Sequence, residues 1–209
     1  MPLKFFSKDG SQGGWAVWHI NETEEQLRSE VIGLPPSEIV HERKRLEWLA
    51  GRHAAMTLCN HVGLRYFGIR KNEFGKPFLE KYPHHLSLSH SFPYVAAQID
   101  LHHAVGIDIE QPREKLLAVA SRILSPSELL DAGKDTTKLC VYWCAKESMY
   151  KIHGSGSLFF SQHLNVEPFR LTGNGKLAGR IVNGGEEREV VMDYVVENEY
   201  VLVAGKQIK

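Results

Sequence analysis

The chain has 209 residues, 43% of them hydrophobic and 24% charged, with 25 basic residues balanced by 25 acidic ones. That composition suits a globular protein with a substantial core, as one domain or two small ones, and its neutral balance argues against the basic surface of a nucleic-acid or membrane-surface binder. The first ten residues lack an apolar leader core, no run approaches the roughly 20 apolar residues that cross a bilayer, and three cysteines (Cys59, Cys140, Cys144) give no disulfide framework, so a cytoplasmic protein is expected.

Residues 14–20 (G-W-A-V-W-H-I) predict a first strand, and the acid-rich stretch 21–30 the start of a helix. Pro35-Pro36-Ser37 marks a break, with Ser37 placed to cap the next helix. That helix is expected over about 39–61, with Leu46, Leu49, Met56 and Cys59 at helical spacing and Gly63 as its stop. A short element near 64–70, a turn at 72–77 and strands near 85–89 and 94–100 follow; a strand at 104–110 is ended by Pro112. Helices are predicted at about 114–121, 126–132 and 136–153, the last stopped by Gly154, with Lys151 and His153 at its negative end. Cys140 and Cys144 share a face of that helix, where core packing is expected rather than zinc binding. The rest reads as β: 158–161, 164–171, 177–183, 188–196 and 199–205, with turns at Gly173-Asn174-Gly175 and Asn183-Gly184-Gly185. Two successive helix-plus-antiparallel-strand halves predict an α+β protein of two lobes, residues 1–100 and 101–209.

Candidate chemistry concentrates in two segments. In the strand at 104–110, Asp108 and Glu110 are two apart and share one face, with Ile107 and Ile109 on the other. Gly106 lies on the carboxylate face and leaves room for something bulky against the backbone. Neighbouring carboxylates repel unless a cation neutralises them, and an oxygen-only donor set suits Mg²⁺; the alternative is a wet strand face with solvated acids. On the helix at 136–153, Glu147 and Lys151 are four apart, with Trp143 one turn earlier. By themselves they make a common surface salt bridge; beside D-x-E they could supply a third metal ligand or base and a cation for phosphate oxygens. Arg45 and Arg52, seven apart on one helix, share a face at a separation of about 10.5 Å along the axis, and guanidinium suits phosphate, although helix arginines are otherwise solvated. The turn at 72–77 presents Lys76, and L-S-H-S ends a strand on Ser89, His90 and Ser91.

Taken in order, L-A-G-R at 49–52, G-K-P at 75–77, L-S-H-S at 88–91, V-G-I-D-I-E at 105–110 and W-C-A-K-E-S-M-Y-K at 143–151 resemble the two-lobed 4′-phosphopantetheinyl transferases. The resemblance implies two similar α/β lobes with antiparallel sheets related by pseudo-twofold symmetry, coenzyme A bound by the first lobe, metal and catalytic residues on the second, and the active site in the cleft between them. It implies Mg²⁺-dependent transfer of the 4′-phosphopantetheine group from coenzyme A to a serine of an acyl, peptidyl or aryl carrier protein, releasing 3′,5′-ADP. Asp108, Glu110 and Glu147 match the family's metal-binding acids, for Mg²⁺ or alternatively Mn²⁺. Asp108, Glu147 and Lys151 form the expected catalytic set, with Glu147 as general base. Arg45, Arg52, Lys76, Ser89 and His90 are expected to bind the coenzyme, with Arg43 competing for the role of Arg45. Lys146 projects about 100° around the helix from Glu147 and has no assigned role.

The family's F-[S/T]-x-x-E is met by Leu124 in place of Phe; Glu128 keeps the glutamate, with a structural role expected. A monomer is expected, with no nucleic-acid or membrane partner. Two rival readings stand beside the transferase. A metal-dependent nuclease is disfavoured because Lys151 follows Glu147 by four residues rather than two. A catalytically degenerate scaffold binding coenzyme A or a carrier protein is disfavoured by the presence of all three acids, Lys76, His90 and Lys151.

Overall fold

Strands and helices alternate twice along the chain, and each half closes on its own sheet. The computed structural model describes residues 3–9, 12–154, 156 and 158–209, and the chain divides into two units, Met1–His102 and His103–Lys209.

In the first unit, β1 (Leu3–Asp9), β2 (Gly13–His19), β3 (Ile69–Lys71), β4 (Pro77–Leu79), β5 (His85–Ser91) and β6 (Tyr94–Asp100) form an antiparallel sheet in the order β1-β2-β6-β5-β4-β3. The edge strand β1 has no counterpart among the predicted strands. Helix α1 (Glu24–Arg28) opens with a capping box between Thr23 and Gln26. Helix α2 (Glu42–His61) is buried on most of its sides, and its Leu49, Ala50, Ala54 and Leu58 join Leu86, Ala97 and Ile99 in the core. It begins three residues later than expected, and Ser37 does not cap it; His41 takes the N-cap position without a side-chain cap bond. The carbonyls of Ile39 and Val40 are instead taken by the Arg45 side chain, which keeps those residues out of the helix. Strands β5 and β6 pair in continuous register from His85↔Asp100 to Ser91↔Tyr94, around a cis Phe92–Pro93 peptide.

In the second unit, β7 (Val105–Glu110), β8 (Leu164–Val166), β9 (Asn174–Asn183), β10 (Glu186–Val196) and β11 (Val201–Gln207) form an antiparallel sheet in the order β7-β11-β10-β9-β8. Helices α3 (Lys115–Ile123), α4 (Pro126–Ala132), α5 (Thr136–His153) and α6 (Phe160–His163) complete it, with α5 packed on β7 and β11. Asp135 caps α5 by accepting from the Thr137 and Lys138 N–H groups, and Gly154 ends it in the left-handed conformation at φ 78°. Cys140 and Cys144, on the core side of this helix, are buried and form no disulfide.

Three expectations in this half need correction. The strand expected at 158–161 is replaced by the short helix α6, where the carbonyls of Phe160 and Leu164 turn toward the Lys146 ammonium. The strand expected at 164–171 covers only Leu164–Val166, because Pro168 cannot donate to a ladder. Gly173-Asn174-Gly175 is not a turn: Asn174 and Gly175 already pair with Val195 and Tyr194 in β9. A Cβ on Gly175 would meet the Tyr194 ring at 2.7 Å, so this glycine marks a close approach. The β9–β10 hairpin does turn at Gly184 and Gly185, both at positive φ (61° and 88°).

Candidate active site

The D-x-E strand does not have a wet face. Ile107 and Ile109 are fully buried, Asp108 is buried and Glu110 half-buried. The bulk for which Gly106 leaves room is helix α5 itself. The Ser148 hydroxyl donates to the Gly106 carbonyl at 2.5 Å, and a Cβ on Gly106 would run into the Ser148 backbone carbonyl. Gly205 on β11, paired with Gly106, is equally close: a Cβ there would lie 2.6 Å from Ser148 Oγ. Two glycines side by side thus let α5 settle on the sheet, bringing its next turn over the carboxylates of β7.

That turn carries Glu147 and Lys151. Lys151 pairs across to β7 rather than along its own helix: Nζ donates to Asp108 Oδ1 and to the Ile107 carbonyl, each at 2.8 Å. Glu147 is half-buried and makes no hydrogen bond or ion pair among the described residues. Its carboxyl is pushed up to about 7, first by burial and then by the negative charge of Asp108, with Glu110 adding to the effect and Lys151 opposing it. The strand and the helix therefore bring Asp108, Glu110, Glu147 and Lys151 within electrostatic reach of one another. Among the described residues no group of three His, Cys, Asp or Glu side chains is arranged to hold a metal ion by itself. Carboxylate oxygens are the donor type that hard divalent cations take, and such an ion would need further oxygens beyond these.

Lys146, one position before Glu147, points the other way and is fully buried. Its ammonium donates to Glu128 Oε2 at 2.7 Å and to the carbonyls of Phe160 and Leu164 at 2.9 and 2.6 Å, so all three donors are used. Glu128 accepts in turn from the Val166 and Ser125 N–H groups, the latter completing a capping box on α4. Both residues hold α5 to α4, α6 and β8, a structural role. Leu124 is buried in the same core, where the family pattern has Phe.

In the first unit a cavity of about 420 Å³ is lined by residues that include Lys44, Glu47, Trp48, Arg52, Lys71, Ser89 and His90. Arg52 is only 8% exposed and lies over the Trp48 ring, 3.1 Å from its centroid, donating to the Trp48 carbonyl at 3.1 Å. No carboxylate among the described residues pairs with it, and burial lowers its guanidinium to about 10. Glu47, buried, takes Lys44 at 2.8 Å and His90 Nδ1 at 3.3 Å. The turn before β4 is closed by Asn72, whose side chain accepts from the Phe74 and Lys76 N–H groups; Gly75 and Pro77 line the cavity on either side of Lys76.

Of the five expected coenzyme ligands, Arg52, Ser89 and His90 line this cavity, Lys76 stands between two lining residues, and Arg45 stands apart, bonded to Glu24, Ile39 and Val40. Arg43 lies over the Phe92 ring at 5.2 Å. Sequence reasoning missed Lys44, Glu47 and Trp48. They share one helix face with Gly51 and Arg52 at spacings of three, four, seven and eight, a pattern visible once Arg52 is the reference.

A sequence model described as the 4′-phosphopantetheinyl transferase superfamily matches residues 104–202, the stretch holding Asp108, Glu110, Glu147 and Lys151. A holo-[acyl-carrier-protein] synthase of Bacillus pumilus (strain SAFR-032) is 30% identical over 98 residues, covering 39% of this chain and 81% of that protein. The chain belongs to the 4′-phosphopantetheinyl transferase superfamily. A 4′-phosphopantetheinyl transferase of Bacillus subtilis is 30% identical over 142 residues, 65% of this chain and 60% of that one. The transferase Sfp of Bacillus subtilis (strain 168) is 36% identical over 90 residues, 40% of each chain. The chain thus spans 60% or less of the length of these last two relatives. The acids of β7 and α5 lie inside the matched stretch, while the cavity of the first unit lies outside it. No helix of the described residues is long and apolar enough to cross a membrane.

Proposed function

We propose that the protein is an Mg²⁺-dependent 4′-phosphopantetheinyl transferase, moving the phosphopantetheine group of coenzyme A to a serine of an apo acyl, peptidyl or aryl carrier protein. The observation that carries this reading is the grouping of Asp108, Glu110, Glu147 and Lys151 by β7 and α5 within the segment that matches the superfamily. The serine Oγ attacks the β-phosphorus of the coenzyme. The new Oγ–P bond forms as the bridging P–O bond breaks, 3′,5′-ADP leaves with that electron pair, and the hydroxyl proton passes to Glu147 directly or through one water. A half-buried carboxylate with no hydrogen-bond partner among the described residues supports that role. Lys151 orients Asp108 and brings positive charge to the phosphate oxygens. Asp108, Glu110 and Glu147 would hold Mg²⁺, or Mn²⁺, which supplies neutralisation of the pyrophosphate charge.

The buried Arg52, paired with no carboxylate among the described residues, supports the cavity of the first unit as the site of the phosphates of the nucleotide end, with Lys44, Lys71, Ser89 and His90 lining it and Lys76 in the adjoining turn. The protein acts as a cytoplasmic monomer in this reading, with no nucleic-acid or membrane partner. Intact-protein mass spectrometry of apo carrier proteins incubated with the protein, coenzyme A and Mg²⁺ tests it. The expected result is a gain of one phosphopantetheine group that disappears on chelation. E147Q should abolish the gain without loss of fold, and D108A should remove activity together with its metal dependence. No gain on any carrier, with coenzyme binding confirmed separately, would overturn the transferase reading in favour of a binding scaffold.

A further inference from the structure

We infer that Arg45 is a positioning residue for the cavity of the first unit: clamped by Glu24, its guanidinium latches the Ile39–Val40 segment that forms part of the wall and takes no phosphate itself. This rests on the reading of that cavity as the site of the coenzyme's nucleotide end.

Residues 29–41 join α1 to α2 without a helix or strand, and this strap leaves Ile32, Leu34 and Val40 exposed. Its last residues, Glu38 to His41, line the cavity. An irregular segment with so little apolar burial has few reasons to hold one position. At its first end the Ser29 hydroxyl donates to the Gln26 carbonyl and Glu30 lies 3.9 Å from His53 Nδ1; at the cavity end Arg45 Nη1 donates to the Val40 carbonyl at 2.5 Å and the Ile39 carbonyl at 3.5 Å. The same guanidinium donates through Nε to Glu24 Oε2 at 2.9 Å. Glu24 stands in the first turn of the capped helix α1 and also accepts from Arg28 at 2.5 Å. Arg45 keeps the Glu24 carboxyl below the usual carboxylate range, so the clamp is charged at neutral pH. Arg45 borders a different hollow, with Glu24, Glu25 and Arg28, and is absent from the wall that Arg52 lines. The planar fork of arginine suits this task, because Nε and Nη1 grip a carboxylate and a carbonyl at once.

The two possible roles of Arg45 differ in sign when Glu24 is neutralised. A phosphate ligand released from a competing carboxylate binds its anion as well or better. A latch that loses its clamp lets the strap move, and the ligand must then order the cavity wall. Isothermal titration of wild type, E24Q, R45A and R52M with coenzyme A and with dephospho-coenzyme A separates these cases. E24Q and R45A should each weaken coenzyme A by about five- to tenfold through lost preorganisation, and weaken dephospho-coenzyme A by the same factor. In the transfer assay E24Q should raise KM by that factor with kcat within about twofold, a split that loss of fold would not give. An E24Q protein that binds coenzyme A as tightly as wild type, or more tightly, overturns the inference and leaves the reading of the cavity standing. A wild type that binds neither ligand, or an R52M protein that binds like wild type, overturns the reading of the cavity and the inference with it.

Discussion

Replacing Lys146 with methionine, a side chain of similar length and no charge, removes the ammonium that ties α5 to three neighbouring elements. The structure sets the cost. The ammonium is fully buried and spends its three donors on Glu128 Oε2 and the Phe160 and Leu164 carbonyls. Its loss leaves a buried carboxylate with only two backbone donors, from Ser125 and Val166, and strips two carbonyls of a partner. Breaking a buried pair by removing one member costs about 3–5 kcal/mol, because the remaining charge is uncompensated. At about 2–4 °C per kcal/mol for a chain of this size, K146M should melt some 6–20 °C below wild type. Thermal and urea unfolding of K146M, E128Q and the double variant complete a cycle in which the double loss falls short of the summed single losses by about 1–3 kcal/mol. A K146M protein within about 1 kcal/mol of wild type, or strictly additive losses, would refute the buried-pair argument.

Three further outcomes follow from the same geometry. G106A forces a Cβ into the Ser148 carbonyl, which is backbone and cannot swing aside, so α5 must lift from β7; about 1–3 kcal/mol of stability should be lost, with transfer falling by more than the folded fraction does, measured by melts alongside the carrier assay. The Glu147 carboxyl, held near 7 in the fold against an ordinary 4.5, binds more protons folded than unfolded between those values. Stability of the metal-free protein should therefore fall as pH rises through that window, by up to roughly 3 kcal/mol, and E147Q should flatten the fall; urea titrations from pH 4 to 8 that show the same slope in both proteins would contradict it. R52M removes a buried cation that no carboxylate balances, so stability should hold or rise by about 1 kcal/mol while coenzyme A binding weakens at least about tenfold, measured by melts and calorimetry.

Much of the site was legible because short-range spacing carries it. Two residues along a strand put Asp108 and Glu110 on one face with Gly106, and four along a helix align Glu147 with Lys151. Gly154 announced the end of α5, and Asn183-Gly184-Gly185 announced its hairpin. What failed were segments whose local preference yields to a distant partner. Phe160–His163 forms a helical turn beside the Lys146 ammonium, fourteen or more residues upstream in the chain. Ile39 and Val40 stay out of α2 because a side chain one turn into that helix claims their carbonyls.

The sequence by itself determined most of the elements, the α+β class and the set of acids and cations, since these follow from periodicity, turn residues and motifs within a few residues. Tertiary structure decided what each charge does. Lys151 could pair with Glu147 by spacing, yet packing of α5 through Gly106 and Gly205 turns it to Asp108. Lys146 and Glu147 are adjacent in the chain, but one faces the core and the other the carboxylates, so one is a strut and the other a candidate base. Arg45 and Arg52 share a helix, but only Arg52 is buried beside Trp48 with its charge unmatched. The reason is physical: the role of an ionisable group is set by the charges, carbonyls and water around it, and those neighbours arrive only with the fold.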